Sequence, residues 1–184
     1  MIRAAFLDRD GVINQKPPEG EYITRWEEMQ ILPGVSEAIA LLNHAGFLVI
    51  VVTNQRCVAK GLITTALLEI LHGRLCEALA AAGASIDAIY YCPHEMKPPC
   101  RCRKPQPGML LEAARAHDID LAASWMIGDS DIDIEAGRSA GCKTARLLDS
   151  DERANGNSDV TAPSLREAID QILRESSRSA SRAQ

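Results

Sequence analysis

The stretch Phe47 to Thr53, FLVIVVT, is apolar at every position but its last and rich in β-branched side chains. A strand of that kind has no solvent face, so other elements must cover both of its sides. A parallel sheet layered between helices provides that cover, and it requires strand and helix to alternate along the chain. The rest of the sequence alternates in this way. Arg3 to Asp8 is a short apolar run closing on a carboxylate. Pro33 to Ala45 sets Val35, Ala38, Ile39 and Leu42 at helical spacing, and Gly46 stops it. Thr64 to Ala82 predicts a long helix ended by Gly83, followed by a short strand at Ala88 to Tyr91. Pro107 to His117 predicts a helix with proline near its start, Ser124 to Gly128 a strand, Ser130 to Ala140 a helix ended by Gly141, and Lys143 to Leu148 a strand. Ser164-Leu165-Arg166-Glu167 is a capping box for a last helix reaching about Arg174.

The expected fold is therefore α/β, a Rossmann-like three-layer sandwich around a central parallel sheet. A chain of 184 residues suffices for one such domain with a substantial core, placed here at residues 1–174. The Ser/Arg/Ala-rich segment 175–184 predicts a disordered tail.

In such sheets ligands sit beyond the carboxyl ends of the strands. The polar motifs fall there. Asp8-Arg9-Asp10-Gly11 follows the first strand. Asp8 can serve as a nucleophile that accepts a phosphoryl group, and Asp10 as the acid that protonates the leaving oxygen and then activates water. Alone, the same four residues also fit an Asp-Gly turn with a capping aspartate. Ile127-Gly128-Asp129-Ser130-Asp131-Ile132-Asp133 follows a later strand. Carboxylates from two strand ends suit Mg²⁺, which takes one or two of them together with waters and a substrate phosphate. Asp133 fits a helix cap at Ser130-x-x-Asp133 at least as well as a site role, and Asp131 fits a solvated helix position. Thr53-Asn54-Gln55 places a hydroxyl and amides at the second strand's end, where they can donate to phosphate oxygens or simply terminate the strand. Lys104 can neutralise a phosphate, and Arg103 can grip a substrate oxygen or a second phosphate. Standing alone, the pair also fits a solvated basic patch.

Cys92-Pro93-His94 and Cys100-Arg101-Cys102 bring three thiols and one imidazole together across five intervening residues. Four soft ligands so close make a closed tetrahedral Zn²⁺ site. With no open position the metal is structural, pinning a loop that contains Pro93, Pro98 and Pro99 and fixing Arg103 and Lys104 just beyond it. The remaining histidines, His44, His72 and His117, read as helix surface residues. Cys57 lies beside the Thr53 motif, Cys76 and Cys142 read as small core residues, and Trp26 and Trp125 as packing residues.

Together these residues resemble the haloacid dehalogenase-like phosphatases. DRDGVIN at Asp8, VVTNQ at Thr53, CRKPQPGM at Lys104 and GDSDID at Asp129 stand in that family's order, from Phe6 to about Gly141. The CPH and CRCRKP segments and TNQ-x-x-x-A-K-G resemble its heptose-bisphosphate phosphatases, while histidinol-phosphate phosphatases share the zinc loop. Arg56-Cys57 departs from the Ser-Gly of the heptose enzymes. The resemblance implies Asp8 as nucleophile and Asp10 as general acid and base. It implies Mg²⁺ held by Asp8, the Asp10 carbonyl and Asp129, phosphate held by Thr53, Asn54 and Lys104, and Arg103 against the substrate. It also implies the C7 phosphate of a heptose bisphosphate as substrate, in the supply of heptose for lipopolysaccharide. No insertion is long enough for a large cap domain.

A net charge of −5 argues against a dedicated nucleic-acid partner. No apolar stretch can span a bilayer, and Met1-Ile2-Arg3 runs straight into the first motif, so the expectation is a cytoplasmic monomer acting on a small phosphorylated metabolite.

Overall fold

The computed structural model describes residues 2–148 and 156–182. Six strands, β1 (Ala4–Leu7), β2 (Leu48–Asn54), β3 (Ala88–Cys92), β4 (Trp125–Gly128), β5 (Lys143–Leu147) and β6 (Val160–Ala162), form one sheet in the order β3-β2-β1-β4-β5-β6. Every neighbouring pair is parallel. Among the described residues five α-helices accompany them: α1 (Val35–His44), α2 (Thr65–Ala81), α3 (Gly108–His117), α4 (Asp131–Ala140) and α5 (Leu165–Arg182).

The sheet has two apolar faces, as the FLVIVVT run requires. Ala5, Leu7, Val49 and Val51 pack with α1, α5 and the Leu75 and Leu79 side chains of α2. Ala4, Phe6, Ile50 and Val52 point the other way, toward Met109, Leu110 and Ala113 of α3 and Ala136 of α4. This is the three-layer sandwich expected. The chain steps outward from β1 to β2 and β3, then returns to β4 on the other side of β1. The order of strands thus reverses at β1, and a crevice opens where its carboxyl end meets those of β2 and β4.

Two expectations need correction. β6 was not foreseen, because three residues are too few for a periodic signal; it exists by pairing with β5. The last helix continues to Arg182 instead of ending near Arg174. No glycine or proline interrupts Leu165 to Arg182, and Ala and Arg are good helix formers, so a low-complexity composition did not mean a broken helix. Residues 183–184 of the expected tail lie outside the described residues.

Candidate active site

The backbone after β1 folds into a tight loop. Asp8 N still pairs with Ile127 O of β4 at 3.0 Å, and the amides of Ile13 and Asn14 converge on Arg9 O at 2.9 and 3.1 Å. Gly11 sits at φ +91°, and a Cβ there would lie 2.2 Å from Asp129 Oδ2. Its lack of a side chain therefore lets the β1 loop close on the β4 carboxylate.

Lys104 holds the centre. Its side chain is 1% exposed, and Nζ lies 2.8 Å from Asp8 Oδ1 and 2.6 Å from Asp133 Oδ1. It also donates to Val52 O at 2.7 Å. Burial alone would lower the lysine's pKa, but the Asp133 and Asp8 carboxylates outweigh it and hold it at about 12. Asp8 is pushed the other way: burial, with Asp133 and Asp10 nearby, overcomes Lys104 and raises its carboxyl to about 7. Burial also raises Asp129, against the opposing Lys16 ammonium, 2.6 Å from its Oδ2. Carboxylate oxygens of Asp8, Asp129 and Asp133 lie within 4.8 Å of one another. That excess of negative charge around one lysine fits a hard divalent cation.

Asp10 faces a different shell. Arg9 donates from Nε and Nη2, Asn14 Nδ2 donates at 2.9 Å and Gln55 Nε2 at 3.0 Å. Gln55 Nε2 also donates to Thr53 Oγ1 at 2.9 Å; as an acceptor there, that hydroxyl keeps its own proton to donate. Asn54 also supports Lys104. Its amide brackets the Lys104 main chain, donating to Lys104 O and accepting from Lys104 N, both at 3.1 Å.

The second cluster closes on itself. The Cys92, Cys100 and Cys102 sulfurs stand 3.3–3.6 Å apart, and His94 Nδ1 lies 3.2 Å from Cys102 Sγ and 3.6 Å from Cys92 Sγ. A tetrahedron with Zn–S bonds of about 2.3 Å has edges of about 3.8 Å, so the donor set fits Zn²⁺. Arg103 Nη1 reaches His94 O at 3.4 Å, which attaches that arginine to the cluster.

Three comparisons bear on this arrangement. Residues 101–168 match the family model described as HAD-hydrolase-like. The D-glycero-beta-D-manno-heptose-1,7-bisphosphate 7-phosphatase of Bordetella bronchiseptica is 43% identical over 141 residues, covering 77% of this chain and 78% of that protein. Its Pseudomonas aeruginosa counterpart is 44% identical over 137 residues, covering 74% and 76%. The chain belongs to the heptose-bisphosphate phosphatase family of haloacid dehalogenase-like hydrolases. A crystal structure of D,D-heptose 1,7-bisphosphate phosphatase from B. bronchiseptica, complexed with magnesium and phosphate, superposes with a TM-score of 0.84 at 35% identity, covering 95% of this chain and 99% of that one.

Within this heptose-bisphosphate phosphatase family, the Arg56-Cys57 departure acquires a structural account. Arg56 Nε pairs with Glu95 Oε2 at 2.6 Å, tying the loop after β2 to the cysteine-cluster loop beside His94. Cys57 is fully buried, with its thiol 3.5 Å from Gln55 Oε1, behind the amide that holds Asp10. Both residues brace the loops that shape the site.

Of the residues expected in the site, Asp8, Asp10, Thr53, Asn54, Lys104 and Asp129 converge at the strand ends, while Arg103 sits at the margin. The sequence favours Asp133 as a helix cap. It is both: its Oδ2 caps the Ser130 amide at 3.2 Å, and its Oδ1 faces Lys104. Lys16 and Asn14 carried no signal of their own. His72 was expected on the surface and is instead buried against Arg9, because it falls on the same face of α2 as Leu68 and Leu75.

Proposed function

We propose that this chain is a Mg²⁺-dependent phosphatase that removes the C7 phosphate of D-glycero-D-manno-heptose 1,7-bisphosphate through an aspartyl-phosphate on Asp8. The observation that carries the chemistry is the placement of Asp8 against buried Lys104 and beside Asp129, at the crevice where the strand order reverses. The sugar is carried by relatives of 43% and 44% identity that match 77% and 74% of this chain.

Asp8 attacks phosphorus, and the bond to the sugar oxygen breaks as Asp10 gives that oxygen its proton. A water then loses a proton to Asp10 and attacks the acyl phosphate, releasing inorganic phosphate and restoring Asp8. Lys104 and the Thr53 hydroxyl neutralise and position the phosphoryl oxygens, while Asn54 holds Lys104 in place and adds a phosphate contact where its amide is free. Asp8, the Asp10 carbonyl and Asp129 would hold Mg²⁺, which supplies the charge that lets an anion attack an anion. Arg103 contacts the substrate beyond the reacting phosphate.

In this reading residues 1–174 form the catalytic domain, and their described residues include no large cap, which suits a small substrate. Among the described residues no helix is long and apolar enough to cross a membrane. A cysteine cluster committed to a metal instead of to disulfides suits the reducing cytoplasm.

Phosphate release with Mg²⁺ tests this reading on both anomers of heptose 1,7-bisphosphate, fructose 1,6-bisphosphate and histidinol phosphate. The expected kcat/KM preference for a heptose bisphosphate is about a hundredfold or more. A preference for histidinol phosphate overturns the sugar, and no release from any ester overturns the chemistry.

Gly11→Ala tests the metal site. The added methyl must displace the Asp129 carboxylate, so kcat/KM should fall about a hundredfold and Mg²⁺ titration should shift to higher concentrations.

Zn²⁺ at Cys92, His94, Cys100 and Cys102 is structural in this reading. Metal analysis should find one zinc per chain. Cys102→Ser should lose it and lower activity at least about tenfold, with Asp8 and Asp129 untouched.

A further inference from the structure

The guanidinium of Arg9 is 1% exposed. It spends Nε and Nη2 on both oxygens of Asp10, at 2.9–3.1 Å, and aims Nη1 at His72 Nε2, 3.1 Å away. His72 is 5% exposed and stands edge-on to Tyr91, with ring centroids 5.7 Å apart. Arginine is always a donor, so Nε2 must be the acceptor and the ring proton sits on Nδ1. A charged imidazole there would set two cations against each other out of water. Burial and the Arg9 charge accordingly lower the His72 pKa to about 3.

We propose that His72 is a positioning residue for the reaction: a neutral acceptor that keeps Arg9, and through it the Asp10 carboxyl, in place. The proposal rests on Asp10 carrying the proton, as argued above. Arg9 meets Asp10 through Nε and Nη2, which fixes the guanidinium on one side only. His72, on the α2 helix, gives it a second anchor at Nη1, so that the plane of the guanidinium and the carboxyl it grips are set from two sides. The imidazole suits this task because it accepts a hydrogen bond without adding a charge that would compete with Asp10 for Arg9.

The test compares His72→Leu, which removes the acceptor, with His72→Gln, which keeps a neutral one. Each is measured by steady-state kinetics and by calorimetric Mg²⁺ binding, beside Asp10→Asn. In His72→Leu kcat should fall about tenfold or more, with KM and Mg²⁺ affinity within about twofold of the parent. His72→Gln should recover kcat to within about threefold. Equal losses in both variants, or a loss that appears in KM or Mg²⁺ affinity, would show a packing role and overturn the proposal. So would parental kcat in His72→Leu. If His72→Leu does not fold, a folded His72→Gln with a tenfold lower kcat overturns it alone. Full activity in Asp10→Asn would instead remove the assignment of Asp10 on which the proposal rests.

Discussion

Asp8→Asn should lower turnover by at least about 10⁴-fold, because the amide cannot form the acyl phosphate on which both half-reactions depend. The same variant should not unfold. Its side-chain oxygen can still accept from Arg9 N and Lys104, which stand 2.7 and 2.8 Å from Asp8 Oδ1. The charge it removes is a liability in the metal-free protein, since the native state holds the Asp8 carboxyl at about 7, against an ordinary value of 3.8. Between those values the folded chain binds the extra proton, so this group's contribution to stability declines as pH rises from about 4 through 7. Metal-free Asp8→Asn should therefore melt no lower than the parent at pH 8. It should lose any advantage at pH 3, where Asp8 is largely protonated in both folded and unfolded states. Thermal melts at the two pH values check the sign, and single-turnover phosphate release checks the chemistry. Retained turnover would remove Asp8 as nucleophile.

Lys104→Met should fail in both respects. The lysine is the buried counter-charge of Asp8 and Asp133, and its loss leaves two carboxylates facing each other out of water. Removing one partner of such a buried pair costs about 3–5 kcal/mol, which urea unfolding of the metal-free protein would show. The transferring phosphoryl group loses its fixed cation as well, for about 10³-fold in kcat/KM. Mg²⁺ should restore part of the stability by neutralising Asp8, but not the rate. The two variants thus separate the roles: one site residue destabilises the resting fold and the other holds it together. Comparable stability in Lys104→Met and the parent would mean that the lysine is not the counter-charge its position indicates.

Much of this arrangement was legible before any coordinates. The unbroken apolar run before Thr53 demands a covered parallel strand, and the run before Asp8 carries its polar residue to the same end of the sheet. Asp8, Thr53 and Asp129 follow from that logic alone. The zinc-type cluster was legible because its ligands lie close in sequence. What stayed hidden depends on where side chains meet across the fold. Asn54 has the chemistry of a phosphate donor, but only the approach of the Lys104 backbone shows that its amide is engaged there. His72 lies between Leu71 and Gly73, and no local pattern announces a buried Arg9 waiting for an acceptor. Arg9 itself reads as a spacer between two acids. β6 is held by a neighbour and not by its own composition.

The path of the chain through the cysteine cluster has a physiological consequence. Cys92 closes β3, Cys102 precedes Lys104 by two residues, and Asn54 ties that lysine's backbone to β2. Oxidants attack sulfur and leave carboxylates alone, and Cys100 and Cys102 are half-buried rather than sealed from solvent. Damage to the cluster would slacken the segment that aims Lys104 at Asp8 and stop turnover, although no residue that touches the phosphate had been modified.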